Sequence, residues 1–294
     1  MTSIRRVLIL GHSGFVGANL ERSLRANAGL EVVGLSLGDV DLTAPRDAAS
    51  LARYFEPDTA VVMCSAIKRQ AGDTRENYLK NVSMAANLSA VLEARPVGRF
   101  LYFSSTAVYG EDVHNEAITE KTSVCPTSYY GMAKYAAERL LLKAAENRTP
   151  SPLVVLRPPT IYGADEPGRP YGPMGFLRAA LAHDPVTLWG DGSEKREFLF
   201  VDDACAAVRL LLDHPFTGVL NLVSGKSVTF KDIIAEISLV GPSLKTASRA
   251  RTKAMADHSF DNSLLRSLFP ELRLTPLREG LKTVRESKLA SVSR

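Results

Sequence analysis

"ILGHSGFVGANL", Ile9 to Leu20, follows an apolar run directly and carries glycines at positions 11, 14 and 17. After a strand, Gly11 permits a tight turn, Gly14 lets backbone N–H groups approach a pyrophosphate, and Gly17 lets the next helix pack closely on the sheet. The helix expected to begin at Phe15 and Val16 then presents the positive end of its dipole to an anion. The spacing is GxxGxxG, not the GxGxxG of the generic dinucleotide fingerprint, so the motif alone leaves open which dinucleotide it holds. A ligand-free strand-to-helix turn is the alternative, but a position inside a strand–helix–strand unit favours a phosphate cradle.

Outward from this turn, β-rich runs alternate with segments of helical period through the first half of the chain. The strand candidates are "RRVLIL" (5–10), "EVVGLS" (31–36), "TAVVMCS" (59–65), "RFLYFSS" (99–105) and "PLVVLRP" (152–158). They are nearly continuous in apolar character, as strands covered on both faces should be. Helices are expected to begin near Phe15, Arg46, Thr74 and Tyr129, the last two being the longest. The pattern predicts an α/β fold with a Rossmann-type doubly wound parallel sheet over residues 1–158. Beyond Pro158, prolines and glycines cluster in "PPTIYGADEPGRPYGPMG" and the alternation is lost. Residues 159–294 are therefore expected to form a smaller α+β region, mainly for substrate, with some segments returning to the first domain. Within it, "VDDACAAVRLLLD" suggests an Asp N-cap, and Thr229, with Asp232 three residues on, suggests a capped helix reaching Val240.

Composition narrows the class of function. With 294 residues and 45% hydrophobic content the chain can bury a full core. Cys64, Cys125 and Cys205 are odd in number, far apart and without metal-ligand spacing, which implies reduced thiols, a cytoplasmic setting and no metal site. "MTSIRRVLIL" reads as a first strand and not as a signal peptide, and no apolar run approaches the ~20 residues of a membrane span. A net charge of +4 with scattered arginines argues against a nucleic-acid groove. The densest basic group, "SRARTK" (248–253), suits a solvated loop or arginines that meet a small anion.

Two further stretches can carry chemistry. In "YYGMAK", Tyr130 and Lys134 stand four apart, so on a helix the ammonium lies beside the phenol and favours phenolate, whereas Tyr129 is rotated off that face. In "FLYFSSTAVYG" a strand ends in Ser104, Ser105 and Thr106, at the sheet edge where ligands bind. A hydroxyl there can hold a substrate alcohol or carbonyl while a tyrosine moves the proton. Cofactor choice is written about twenty residues past the glycine turn. There "GLSLGDVDL" offers neither a strand-end acid for NAD nor an arginine for NADP; it has Ser36, with Asp39 and Asp41 beyond, so NAD and NADP both stay open.

With GxxGxxG, a serine-bearing strand end and YxxxK in this order, the chain resembles the short-chain dehydrogenase/reductase superfamily, and in detail its extended branch of nucleotide-sugar epimerases, dehydratases and reductases. "LRPPTIYG" resembles that branch's RPxNVYG turn and "GDGSEKREFLFVDDACAAV" its GDGxxxRDFxxVDD segment. The resemblance implies that Ser105, four residues before Tyr109, is the catalytic hydroxyl with Thr106 as fallback, beside Tyr130 and Lys134. It implies that Lys134 also binds the nicotinamide ribose, that Asp41 and Leu42 flank the adenine, that Ser65 and Ala66 lie against the cofactor, and that Asn81 opens an Asn-Val pair of its site. Arg196 is then expected on the sugar-nucleotide pyrophosphate, ahead of a simple salt bridge to Glu194 or Glu197. Pairing of the long helices as in family dimers implies a homodimer.

Three departures refine the expected activity. Thr106 and Ala107 replace the Asp-Glu pair of 4,6-dehydratases, which disfavours dehydration. Ala107 also replaces the cysteine of GDP-fucose synthases, and Thr160 replaces the Asn of RPxNVYG, where a substrate contact is altered. Hydride transfer at C4 of a nucleoside-diphosphate sugar is the expected chemistry, as a 4-epimerase or a 4-ketoreductase. A related enzyme on a non-nucleotide alcohol or ketone, and a catalytically silent NAD(P) sensor, are the rival readings.

Overall fold

The computed structural model describes residues 3–26, 29–146, 151–167, 171–252 and 254–292. Each predicted strand forms, shortened by one or two residues: β1 Arg6–Leu10, β2 Glu31–Leu35, β3 Thr59–Met63, β4 Arg99–Phe103 and β5 Leu153–Arg157. A sixth, β6 Gly218–Asn221, joins them from the C-terminal half. All six run parallel in the order β6-β5-β4-β3-β1-β2. Chain direction across the sheet reverses between β1 and β3, and a crevice opens beyond the strand ends at such a switch point.

Side-chain alternation explains why the strands read as unbroken apolar runs. Val7, Ile9, Val62, Leu101 and Leu156 face one helical layer, α1 Phe15–Arg25 and α4 Val201–Leu211. Leu8, Leu10, Val61, Phe100 and Val155 face the other, α2 Arg75–Ala94 and α3 Tyr129–Ala145. Both long helices begin where expected and are capped by hydroxyls, Thr74 accepting the Asn77 N–H and Ser128 the Gly131 N–H. The helix expected near Arg46 is only Pro45–Ala49, followed by a 3-10 turn to Tyr54.

The C-terminal half builds a second core around Tyr162, Phe176, Phe200, Phe230, Ile233 and Leu281. Helix Phe230–Val240 opens with the expected box, Thr229 and Asp232 capping each other's backbone. The Asp cap expected for α4 does not form. Phe200 takes the cap position because it ends the short strand Phe198–Phe200, which leads straight into the helix. Asp202 and Asp203 lie instead in the first turn, where the dipole favours them. The Asp203 carboxylate accepts the Thr275 N–H at 2.7 Å and hydroxyl at 2.8 Å, tying down a distant segment.

Candidate active site

Strand β1 ends in the glycine turn and α1 leaves it. Gly11 has φ +88°, and a side chain on Gly17 would run into the Gly11 carbonyl, so both glycines serve the turn itself. Gly14 is different: an added Cβ would meet only Gly11 O, at 3.3 Å, so what its missing side chain keeps open is the space beyond. Gly14 is also the N-cap of α1 and no side chain caps that helix, which leaves its amide end to an anion. Above it lies a cavity of about 280 Å³, lined by Gly11, Gly14, Phe15, Val16, Gly17, Ser36, Asp41, Leu42, Ser65 and Ala66 among others. Every residue expected against the dinucleotide except Asn81, Tyr130 and Lys134 lines this cavity. The set fits a nicotinamide dinucleotide: glycine amides for phosphates, and an apolar slot at Leu42 for a base.

The end of β2 carries an acid that spacing along the chain does not place there. Ser36–Val40 closes a turn, and the Asp39 carboxylate folds back to accept the Ser36 N–H at 2.8 Å and hydroxyl at 3.2 Å. These hydrogen bonds hold the Asp39 carboxyl below the usual carboxylate range. His12, whose ring packs against Gly34 of β2, binds Glu21 at 2.8 Å and approaches Asp39 to 4.0 Å, so Asp39 is the acid at the strand end that meets the cofactor ribose in such folds. Asp41 instead closes its own turn, accepting the Thr43 N–H and hydroxyl at 2.8 and 2.7 Å.

A larger cavity of about 920 Å³ adjoins the first and shares Phe15, Val16, Cys64, Ala66, Ile67 and Lys68 with it. Ser105, Thr106, Tyr130, Lys134, Thr160 and Arg196 all line it. Ser105 starts the turn after β4 and its oxygen accepts the Ala107 N–H at 3.1 Å, leaving its own proton to donate. Asp73 accepts the Tyr130 N–H at 3.0 Å, anchoring the first turn of α3, while Tyr129 is exposed and turns its ring to Tyr78. Lys134 is buried, lies 5.8 Å from the Tyr130 ring centre and donates one proton to Phe103 O at 2.7 Å. Burial pulls the Lys134 ammonium down to about 8, with Lys68 acting in the same direction and Cys64 and Glu138 against it. The Cys64 thiol is pushed up to about 12 by burial and stays protonated, so it is no nucleophile near neutrality.

Arg196 lines the larger cavity, yet its guanidinium is in a salt bridge with Glu194, the alternative to a role on the pyrophosphate. The partner of that pair is shared. Arg251, from the basic "SRARTK" stretch, binds the other oxygen of the same carboxylate, and its Nε is buried without a partner. Glu194 therefore sits between two arginines, of which Arg196 lines the cavity, and only the fold makes this visible, because Arg251 is 57 residues away in sequence. Lys253 of the same stretch lies outside the described residues. Asn81 reaches neither cavity. Its amide accepts the Ile67 N–H at 2.8 Å and donates to Ile67 O at 3.0 Å, bracing the loop that walls both cavities.

Comparison with known proteins shows the family. Residues 7–223 match the model of the NAD dependent epimerase/dehydratase family. The low-salt glycan biosynthesis protein Agl12 of Haloferax volcanii is 28% identical over 246 residues, 74% of this chain and 77% of that protein. The N-acetyl-alpha-D-glucosaminyl-diphospho-ditrans,octacis-undecaprenol 4-epimerase of Escherichia coli O157:H7 is 26% identical over 79% of this chain and 71% of its own. The structure of MoeE5 in complex with UDP-glucuronic acid and NAD superposes with a TM-score of 0.81 at 26% identity, covering 97% of this chain and 99% of that one. The chain belongs to the NAD dependent epimerase/dehydratase family, a branch of the short-chain dehydrogenases whose cofactor is NAD.

Proposed function

We propose that this chain is an NAD-dependent enzyme transferring hydride at C4 of a nucleoside-diphosphate hexose, as a 4-epimerase or a 4-ketoreductase. The observation that carries the reading is the joining of two cavities, one over the glycine turn and one lined by Ser105, Tyr130, Lys134 and Arg196. NAD held in the first supplies the hydride acceptor or donor. In the second, Tyr130 Oη takes the proton of the C4 hydroxyl, or returns it to the C4 carbonyl, while Ser105 Oγ donates a hydrogen bond to the same oxygen. Lys134 keeps the phenol acidic and has two N–H donors left for the nicotinamide ribose after serving Phe103. The absence of acids at Thr106 and Ala107 leaves no paired base for removing water, which supports transfer without dehydration. Incubation with a panel of nucleoside-diphosphate hexoses tests this: a C4 epimer, or reduction of a 4-ketosugar, is expected, and no turnover of any member refutes it.

Arg196 and Arg251 are proposed as the arms that receive the diphosphate, with Glu194 as its competitor. The carboxylate occupies one terminal nitrogen of each guanidinium and so competes with a second anion for both. Glu194→Gln is therefore expected to tighten binding of UDP or GDP about tenfold by calorimetric titration; unchanged affinity contradicts that arrangement. Asp39 is proposed as the acid that takes the ribose diol and repels a 2′-phosphate. Asp39→Asn keeps the turn and loses the charge, so the ratio of NADH to NADPH affinity should fall about tenfold by fluorescence titration.

Among the described residues no helix is long and apolar enough to cross a membrane. A cytoplasmic homodimer completes the reading. Leu79, Tyr129, Met132 and Leu140 are exposed apolar residues on α2 and α3, and a second copy covering them is supported by their number on one pair of helices. A mass of two chains by light scattering is the expected result.

A further inference from the structure

We infer that the buried pair Glu138–Arg157 is a positioning device that holds Ser105, Tyr130 and Lys134 in register, a role resting on the chemistry proposed above. Glu138 follows Lys134 by four residues and Tyr130 by eight, so all three lie along one face of α3. Its side chain is 1% exposed and that of Arg157 6%. One carboxylate oxygen accepts the Ser104 hydroxyl and, at 3.0 Å, Arg157 Nε; the other accepts an Arg157 terminal nitrogen at 2.6 Å. The remaining arm of Arg157 donates to Tyr109 Oη at 2.8 Å, and Tyr109 donates to Asn221 at 2.8 Å.

These contacts bracket the catalytic turn. Ser104 precedes Ser105, Tyr109 ends the turn that Ser105 begins, and Pro158 O, next to Arg157, accepts the Thr106 N–H at 2.9 Å. Lys134 is tied to Phe103 of the same strand. One ion pair thus joins α3, β4, β5 and β6 at the edge where the cavity opens, though neither member lines that cavity.

Stability does not account for the pair. Removing both charges from water costs as much as their attraction returns, and apolar residues of similar size often serve a fold equally well. Burial works against the Arg157 charge, yet the hydrogen bonds to Glu138 hold it above the ordinary arginine range. What an apolar pair cannot provide is directional bonding to Ser104 and Tyr109. Lys134 also feels Glu138's charge. It is faced by Cys64, Lys68, Tyr102 and Tyr130, and Glu138 is the carboxylate among the groups that act on it.

The test is the double variant Glu138→Leu/Arg157→Met, which removes both charges together, so that neither is left buried alone, and takes away the bonds to Ser104 and Tyr109. It should fold with a thermal midpoint at or above that of the wild type and bind NADH unchanged. The Tyr130 phenol is then titrated by ultraviolet difference absorbance, each protein measured against its own Tyr130→Phe counterpart. Loss of register predicts a midpoint shifted to higher pH, and with a substrate identified, a kcat about a hundredfold lower at unchanged KM. A folded double variant with an unmoved phenol titration overturns the inference. If the double variant does not fold, Glu138→Gln is titrated in the same way, and an unmoved midpoint overturns it equally. Wild type that titrates as expected but turns over no nucleotide sugar refutes the proposed function and not the positioning role.

Discussion

Tyr130→Phe is expected to lower turnover on the order of 10³-fold while NADH binds with wild-type affinity. The substitution removes one oxygen and its proton. The ring, its place in the first turn of α3 and the Asp73 anchor on its backbone all remain. The dinucleotide cavity is lined by the glycine turn and the β2 and β3 ends, and Tyr130 is not part of that lining, so affinity has no reason to change. Fluorescence titration for binding and stereochemical analysis of product for turnover separate the two effects. Equal loss of both would mean that Tyr130 supports the site instead of moving the proton.

The pH dependence of kcat/KM is expected to show an alkaline limb near pH 8 that belongs to Lys134. Burial depresses this ammonium from 10.5 to about 8, so its charge is complete below that pH and is lost as pH rises through it. Both directions of the reaction need the charge, because it lowers the cost of phenolate in one and of proton return in the other. Lys134→Arg keeps a cation at all pH values and should move the limb upward, at a lower maximum because the guanidinium is larger and planar. Lys134→Met should abolish the limb and cost on the order of 10²-fold in kcat/KM. A limb left in place in both variants would assign it to another group.

The sheet was legible because its inner strands are buried on both faces, so Val7 to Leu10 or Ala60 to Met63 read as unbroken apolar runs. The turn was legible because Gly11 and Gly17 answer local steric needs. Thr229 was legible because a capping box needs only residues three apart. The misread Asp cap of α4 fails for the same local reason in reverse, since a strand abuts the helix and leaves the cap position to Phe200. Asp39 is hidden from spacing along the chain, because a turn after Ser36 carries it back to the strand end. Arg251 and the Glu138–Arg157 pair depend on contacts between distant segments, and only the folded sheet brings them together. Asn81 belongs to a third kind, in which a residue of the right type at the right position has its amide engaged by a loop instead of a ligand.

Hydride transfer at C4 is the claim on which the rest of the account depends, and isotope tracing tests it directly. The NAD-loaded enzyme is incubated with nucleoside-diphosphate hexoses carrying deuterium at C4, and nicotinamide and sugar are analysed by mass spectrometry after a single turnover. Deuterium on the nicotinamide, or retained at C4 of an inverted sugar, is the predicted result. Deuterium lost to solvent, or left at C4 of an unchanged sugar, would contradict it.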